Sequence, residues 1–228
     1  MTATFRPMID LRRDGDVFIL QLDDGENRLS PANLDVIGDL LHQVEDAEGP
    51  KALVTTGTGR FFSNGLDLDY LGEHPSDLTS YLFRVHSLFT RFLSLPCATV
   101  AAQNGHTFAA GAMLAICHDH RVMREDRGYW CLPEVDLGMP FTEGMNALIP
   151  AMIPPRTAHE AMVTGRRYTG GDALAGGIVH ELAAEDRVLP RAVEVAQSFA
   201  GKAGPGIAGI RTHLHAHVIG HLHGTERG

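Results

Sequence analysis

Positive charge is scarce in this sequence: 228 residues carry 19 Lys and Arg against 28 Asp and Glu, a formal net charge of −9. No Lys/Arg cluster is present that could track a phosphodiester backbone, so nucleic acid is not expected as a partner. Cysteine is also sparse. Cys97, Cys117 and Cys131 form no Cys-x-x-Cys pair and leave an odd count, which indicates neither a disulfide framework nor a zinc site. They read as reduced core residues. No apolar run reaches the length of a membrane span, and Met1 to Arg13 lacks the charged-then-apolar layout of a signal peptide. The expectation is a soluble, cytoplasmic protein with no membrane partner. Gly57-Thr58-Gly59 lacks the Lys-Ser/Thr that would complete a phosphate loop. Internal repeats and low-complexity tracts are missing as well, and the length fits one large α/β domain rather than two enzymatic ones.

Alternation around Asp14-Gly15, in Met8 to Arg12 and Val17 to Leu22, reads as an opening hairpin. Pro31 to Glu48 carries Leu34, Ile37, Leu40, Leu41 and Val44 at helical spacing, with Ser30 as cap and Pro31 in the first turn. Lys51 to Thr56 suits a short buried strand and completes a strand-helix-strand unit. A polar interval, Glu73 to Asp77, precedes an amphipathic helix that places Leu82, Val85, His86, Phe89 and Leu93 on one side and ends before Pro96. After Glu134 the spacing predicts mostly helix: Thr142 to Met152, Pro155 to Thr164, Gly170 to Ala175, Leu189 to Ala203 and Gly206 to Leu222.

Two turns carry the chemistry. Ala98 to Ala102 is a small apolar strand, Met113 to Ile116 is good helix former, and between them Asn104-Gly105-His106 and Ala109-Ala110-Gly111 supply small residues. Small residues at a strand-to-helix turn let a ligand approach the backbone, where first-turn N–H groups point outward with the positive end of the dipole behind them. Such a turn suits a thioester carbonyl becoming an enolate. A second turn of this kind, Gly57 to Leu68, follows the strand at Lys51 to Thr56, and two such loops can aim two N–H groups at one oxygen.

Phe62-Ser63-Asn64-Gly65-Leu66-Asp67-Leu68, Asn104-Gly105-His106 with Ala109-Ala110-Gly111, and Pro133-Glu134-Val135-Asp136-Leu137-Gly138 resemble the three signature segments of the crotonase (enoyl-CoA hydratase/isomerase) superfamily, over a span from about Phe5 to the last helix. The resemblance implies an α/β spiral of strand-strand-helix units over residues 1–185, with a C-terminal helical region of the same domain over 186–228. It implies an oxyanion hole from the N–H groups of Leu66 and Ala110 and Glu134 as the acid. It also implies a coenzyme A contact along Ser63, Asn64, Gly65, Asp67 and Leu68, and trimers or dimers of trimers. Hydratases of the family carry a second glutamate where this chain has Met113, so the pattern is most similar to single-glutamate delta-3,delta-2-enoyl-CoA isomerases. The substrate implied is an acyl-CoA thioester, with no redox cofactor or metal.

One carboxyl group suffices for moving a double bond from C3–C4 to C2–C3, because a proton leaves C2 and one returns to C4. Hydration must also position a water, which Met113 cannot do; its apolar side chain would keep water away. Other readings of these residues are a different one-carboxylate reaction of thioesters, such as hydrolysis, and a catalytically silent acyl-CoA-binding subunit. Glu134 also reads as a solvated strand-end carboxylate, Asp136 as rim or structure, Glu143 as a helix-start acid, and Asp67 as the cap of a short helix. His106 and His118 read as core or turn residues. In the tail, His213, His217 and His221 lie four apart and are expected to share a helix face, a spacing that permits metal binding but equally fits a polar flank beside an apolar stripe.

Overall fold

The computed structural model describes residues 8–224. β1 (Ile9–Asp14) and β2 (Val17–Leu22) form the expected antiparallel hairpin, with Gly15 at φ 57 in its turn. α1 (Pro31–Asp46) is capped by Ser30, whose side chain accepts from the Asn33 N–H. The chain then winds in repeated units. β3 (Ala52–Gly57) and β4 (Phe61–Ser63) are followed by α2 (Leu68–Glu73) and the long α3 (Leu78–Ser94). β5 (Ala98–Gln103) and β6 (His106–Phe108) are followed by α4 (Ala110–Ile116), and β7 (His120–Arg124) leads to β8 (Trp130–Cys131). Beyond these lie α5 (Glu143–Met152), α6 (Pro155–Thr164), α7 (Gly170–Ala175), β9 (Glu181–Ala183), α8 (Val188–Phe199), α9 (Pro205–Leu214) and α10 (Ala216–His223).

Within each unit the first strand joins a six-stranded sheet of order β1-β2-β3-β5-β7-β9, parallel except for the opening hairpin, and the second joins a small parallel sheet of order β4-β6-β8. This is the α/β spiral of strand-strand-helix units expected from the sequence. Central strands of a sheet covered on both faces are mostly apolar, and β3 and β5 are buried along their whole lengths, with only Thr55, Thr56, Thr99 and Gln103 polar. On one face Phe18, Leu20 and Leu53 join the main core with α1, α3 and α4; on the other Val17, Ile19, Val54, Val100 and Val122 pack against Ala192, Val195 and Ala196 of α8. Thus the first helix of the C-terminal region covers the core sheet.

Three local expectations are corrected. The helix expected over Gly206 to Leu222 breaks at His215, because α9 is drawn onto α3 by Arg211 and α10 lies along α5, where Leu222 sits directly over Gly144. His213 therefore shares no continuous helix face with His217 and His221; its Nδ1 lies 2.8 Å from the Gly209 carbonyl, while the other two rings contact each other edge-on. Glu134 occupies a single turn of 3₁₀ helix, Pro133–Val135, and not a strand end. β9, three residues amid helices, has too short a run to show alternation and is held by pairing with β7.

Arg211 ties the tail to the core. Its guanidinium is buried, ion-pairs with Asp119, and donates to the carbonyls of Phe92, Leu93 and Cys97 around the end of α3. Removing one member of such a group leaves several buried acceptors without a donor. Arg211→Met is expected to cost about 2–4 kcal/mol, discounted because Asp119 is partly exposed, and to lower the urea midpoint accordingly.

Candidate active site

Because β4, β6 and β8 are parallel neighbours, their carboxyl-terminal ends lie along one edge of the small sheet. Each end runs straight into one of the three segments singled out above: Leu66 follows Ser63 of β4, Ala110 follows Phe108 of β6, and Glu134 follows Cys131 of β8. Neighbouring strands lie about 4.8 Å apart, so the outer two segments are separated by only about 10 Å. Residues distant in sequence are thereby gathered at one edge.

Backbone pairing fixes the direction of the first donor. The Gly65 carbonyl accepts from the Leu29 N–H at 2.8 Å, and in a trans peptide the following N–H, that of Leu66, must point the opposite way. In the second loop the Ala109 carbonyl accepts from the Met113 N–H at 3.0 Å within α4, while the Ala109 N–H donates to Cys131 at 3.0 Å. The Ala110 N–H accordingly projects from the first turn of the helix. Neither the Leu66 nor the Ala110 N–H has an acceptor among the described residues.

Close approach of the two loops depends on glycine. Gly65 has φ +87, and a Cβ there would lie 3.0 Å from the Ala110 nitrogen and 2.9 Å from the Ala109 Cβ. A Cβ on Gly111 would fall 2.5 Å from the Ser63 carbonyl oxygen. Ala109 itself has φ 50 and ψ −126, values that an L residue adopts only under strain, immediately before the second donor.

Glu134 is 8% exposed and follows the buried Trp130, Cys131 and Leu132. Its Oε2 is buried with no hydrogen-bond partner among the described residues. Burial disfavours the carboxylate and pushes the pKa up from 4.5 to about 7. An acid in this condition is protonated and ionised in comparable amounts near neutrality, as a group that must both take and return a proton requires.

The remaining sequence candidates divide by role. Met113 is fully buried on α4, one turn beyond Ala109. Ser63 is fully buried, and its hydroxyl donates to the Asn27 carbonyl at 2.7 Å and accepts from the Gly65 N–H at 3.2 Å, which holds the turn. Asn64 is held by Glu26 through backbone and side chain, Asp67 caps α2 and takes Arg28, and Leu68 is exposed at the start of α2. Asp136 is exposed and turned toward Gly165 at the end of α6, and Glu143 is exposed in the first turn of α5. His118 is a satisfied core residue, between the Leu114 carbonyl and the Thr55 hydroxyl, with its pKa lowered to about 4 by burial. Two surface hollows, near 400 and 320 Å³, lie at Lys51 and Gly204 and around Arg166 and Tyr168, touching none of Leu66, Ala110 or Glu134. Backbone donors and a buried acid define the candidate site.

Sequence reasoning missed Asn27, Leu29 and Tyr81, which support the first loop from outside it. Asn27 carried one signal: it takes φ 53, a value Asn tolerates better than most residues. Leu29 and Tyr81 act through long-range pairing and carried none.

Residues 12–224 match the sequence model of the Enoyl-CoA hydratase/isomerase family. The chain is 35% identical to enoyl-CoA delta isomerase 2, peroxisomal, of Arabidopsis thaliana, over 94% of its own length and 95% of the relative's. A solved apo structure of an enoyl-CoA isomerase from Mycobacterium tuberculosis superposes with a TM-score of 0.88 at 30% identity, covering 97% of this chain and 96% of that one. The human mitochondrial delta3-delta2-enoyl-CoA isomerase shares the fold at a TM-score of 0.86 and 24% identity, covering 95% and 86% of the two chains. With nearly its whole described length matched by the family and by a relative at this identity, the chain belongs to the enoyl-CoA hydratase/isomerase family.

Proposed function

We propose that this protein converts 3-enoyl-CoA to 2-enoyl-CoA by a 1,3-proton shift at Glu134. The observation that carries the reading is a buried carboxyl with one unpartnered oxygen, on the same sheet edge as two free backbone N–H groups. The names of the Arabidopsis and Mycobacterium relatives support the same chemistry. The thioester carbonyl oxygen accepts from Leu66 and Ala110, which lowers the cost of negative charge there. Ionised Glu134 takes a proton from C2, and the C2–H electrons become the C1–C2 double bond of a dienolate. The protonated carboxyl then delivers to C4 as the electrons return through C2–C3, and the carbonyl is restored. The shift is redox-neutral and returns the enzyme to its starting protonation. Met113, where a hydratase of the family carries its second acid, offers no group to activate water. The loop from Ser63 to Leu68 would carry the coenzyme A portion largely by backbone, and a homotrimer or dimer of trimers is the assembly proposed.

Purified protein assayed in parallel with 3-enoyl-CoA, 2-enoyl-CoA and saturated acyl-CoA tests this directly. Rapid isomerisation with slow hydration and no hydrolysis is expected; fast hydration of 2-enoyl-CoA would contradict it. The acid's titration sets the pH dependence. Below about 7 Glu134 is protonated and cannot act as base, so kcat/KM for isomerisation should rise with pH through about 7 and level above it. A profile flat from pH 5 to 9 would remove Glu134 from the proton transfer.

A further inference from the structure

The N–H assigned to the oxyanion belongs to a loop residue, half-buried Leu66, and within its own segment only the Ser63 hydroxyl, on the Gly65 N–H, braces the turn before it. Further support comes from α3. Tyr81, 2% exposed, directs its hydroxyl into the loop, where it donates to the Leu29 carbonyl at 2.6 Å and accepts from the Asp67 N–H at 2.9 Å. Leu29 in turn donates its own N–H to the Gly65 carbonyl. The peptide before Leu66 is thus held by Leu29, and the peptide after it by Tyr81, with the phenol joining both supports. Three segments remote in sequence are closed into one ring of hydrogen bonds around a single residue.

We infer that Tyr81 is a positioning residue for the oxyanion hole, fixing the direction of the Leu66 N–H without touching substrate. The inference rests on the reading of Leu66 as a donor given above. A hydroxyl is needed because the position must donate and accept at once; a phenylalanine keeps the ring and its edge-on contact with Tyr70 but leaves the Leu29 carbonyl and the Asp67 N–H unmatched. Burial pushes the Tyr81 pKa up to about 12, so the hydroxyl stays a donor across the working range. Loss of a whole oxyanion donor costs about 10²–10³ in kcat, and a misdirected donor should cost a part of that.

Tyr81→Phe should lower kcat for isomerisation by about 10- to 100-fold with KM changed less than about threefold. A second readout needs no turnover. Acetoacetyl-CoA, whose acidic C2 lets it ionise to an enolate with charge on the thioester oxygen, should lose about tenfold or more in affinity, whereas a saturated acyl-CoA, which places no full charge in the hole, should bind as before. Equal loss of both ligands, or kcat within twofold of wild type, overturns the positioning role. If the Phe variant does not fold, trifluorotyrosine at position 81 keeps the shape and lowers the phenol pKa. Its isomerase rate should then fall at alkaline pH, as the phenolate ceases to donate, where wild type stays level; a parallel profile overturns the role. Wild-type protein inert toward 3-enoyl-CoA would overturn the functional reading instead, while the comparison of the two ligands still judges Tyr81.

Discussion

Glu134→Gln is expected to lower the isomerisation rate by about 10²–10⁴-fold while leaving thioester binding nearly unchanged. The substitution keeps shape and removes the proposed base, and neither of the two neighbouring acids stands ready: Asp136 turns away to Gly165 and Glu143 is exposed on α5. A stability measurement separates catalytic loss from damage. The folded state holds the Glu134 pKa near 7 against an ordinary 4.5, so the favourable difference is fully present below about 4.5 and is lost as pH rises through about 7. That displacement corresponds to roughly 3 kcal/mol at most. Compared with wild type, the Gln variant should therefore gain stability between pH 5 and pH 8 while remaining inactive at both, read from urea unfolding at the two values. A variant that keeps its activity would remove Glu134 from the reaction.

Gly111→Ala is expected to be strongly damaging to both activity and stability. The added Cβ would sit 2.5 Å from the Ser63 backbone oxygen, which cannot swing aside as a side chain can, so α4 and the first loop must separate. Because the two proposed oxyanion donors, Ala110 and Leu66, lie one and three residues along the chain from the two sides of that contact, kcat/KM should drop by about 10²–10³ and stability by about 1–3 kcal/mol. Gly220→Ala is the control: nothing lies within 4 Å of its Cβ position, and the change in α10 should be neutral or slightly stabilising. Equal behaviour of the two variants in the assay would show that loop separation does not govern the rate.

Local periodicity and turn chemistry made much of the fold legible. Ser30 and Pro31 mark the start of α1, Asp14-Gly15 marks the hairpin, and Pro155 to Thr164 and Gly170 to Ala175 are helical over the expected residues. What failed was set by tertiary contact. The break at His215 answers to Arg211 on one side and to the seating of Leu222 over Gly144 on the other, neither visible from neighbours in sequence. The short strands of the small sheet are too brief to show a period, yet their parallel alignment is what gathers the three signature segments. The candidate acid was legible from Pro133-Glu134, but its burial was not, since a carboxylate after a strand reads as solvated until the surroundings are known. Tyr81 shows the same boundary: it falls within the amphipathic helix expected after Asp77 but outside the apolar side named there, and its inferred role comes from partners 14 and 52 residues away.

Whether two backbone donors meet one oxygen with one acid beside it can be seen in a crystal structure of the protein with bound acetoacetyl-CoA. The thioester oxygen is expected at about 2.7–3.1 Å from both the Leu66 and Ala110 nitrogens, with a Glu134 carboxyl oxygen about 3–3.5 Å from C2 and Met113 against the same acyl segment. A thioester oxygen bound to neither N–H, or a Glu134 carboxyl facing solvent away from C2, would contradict it.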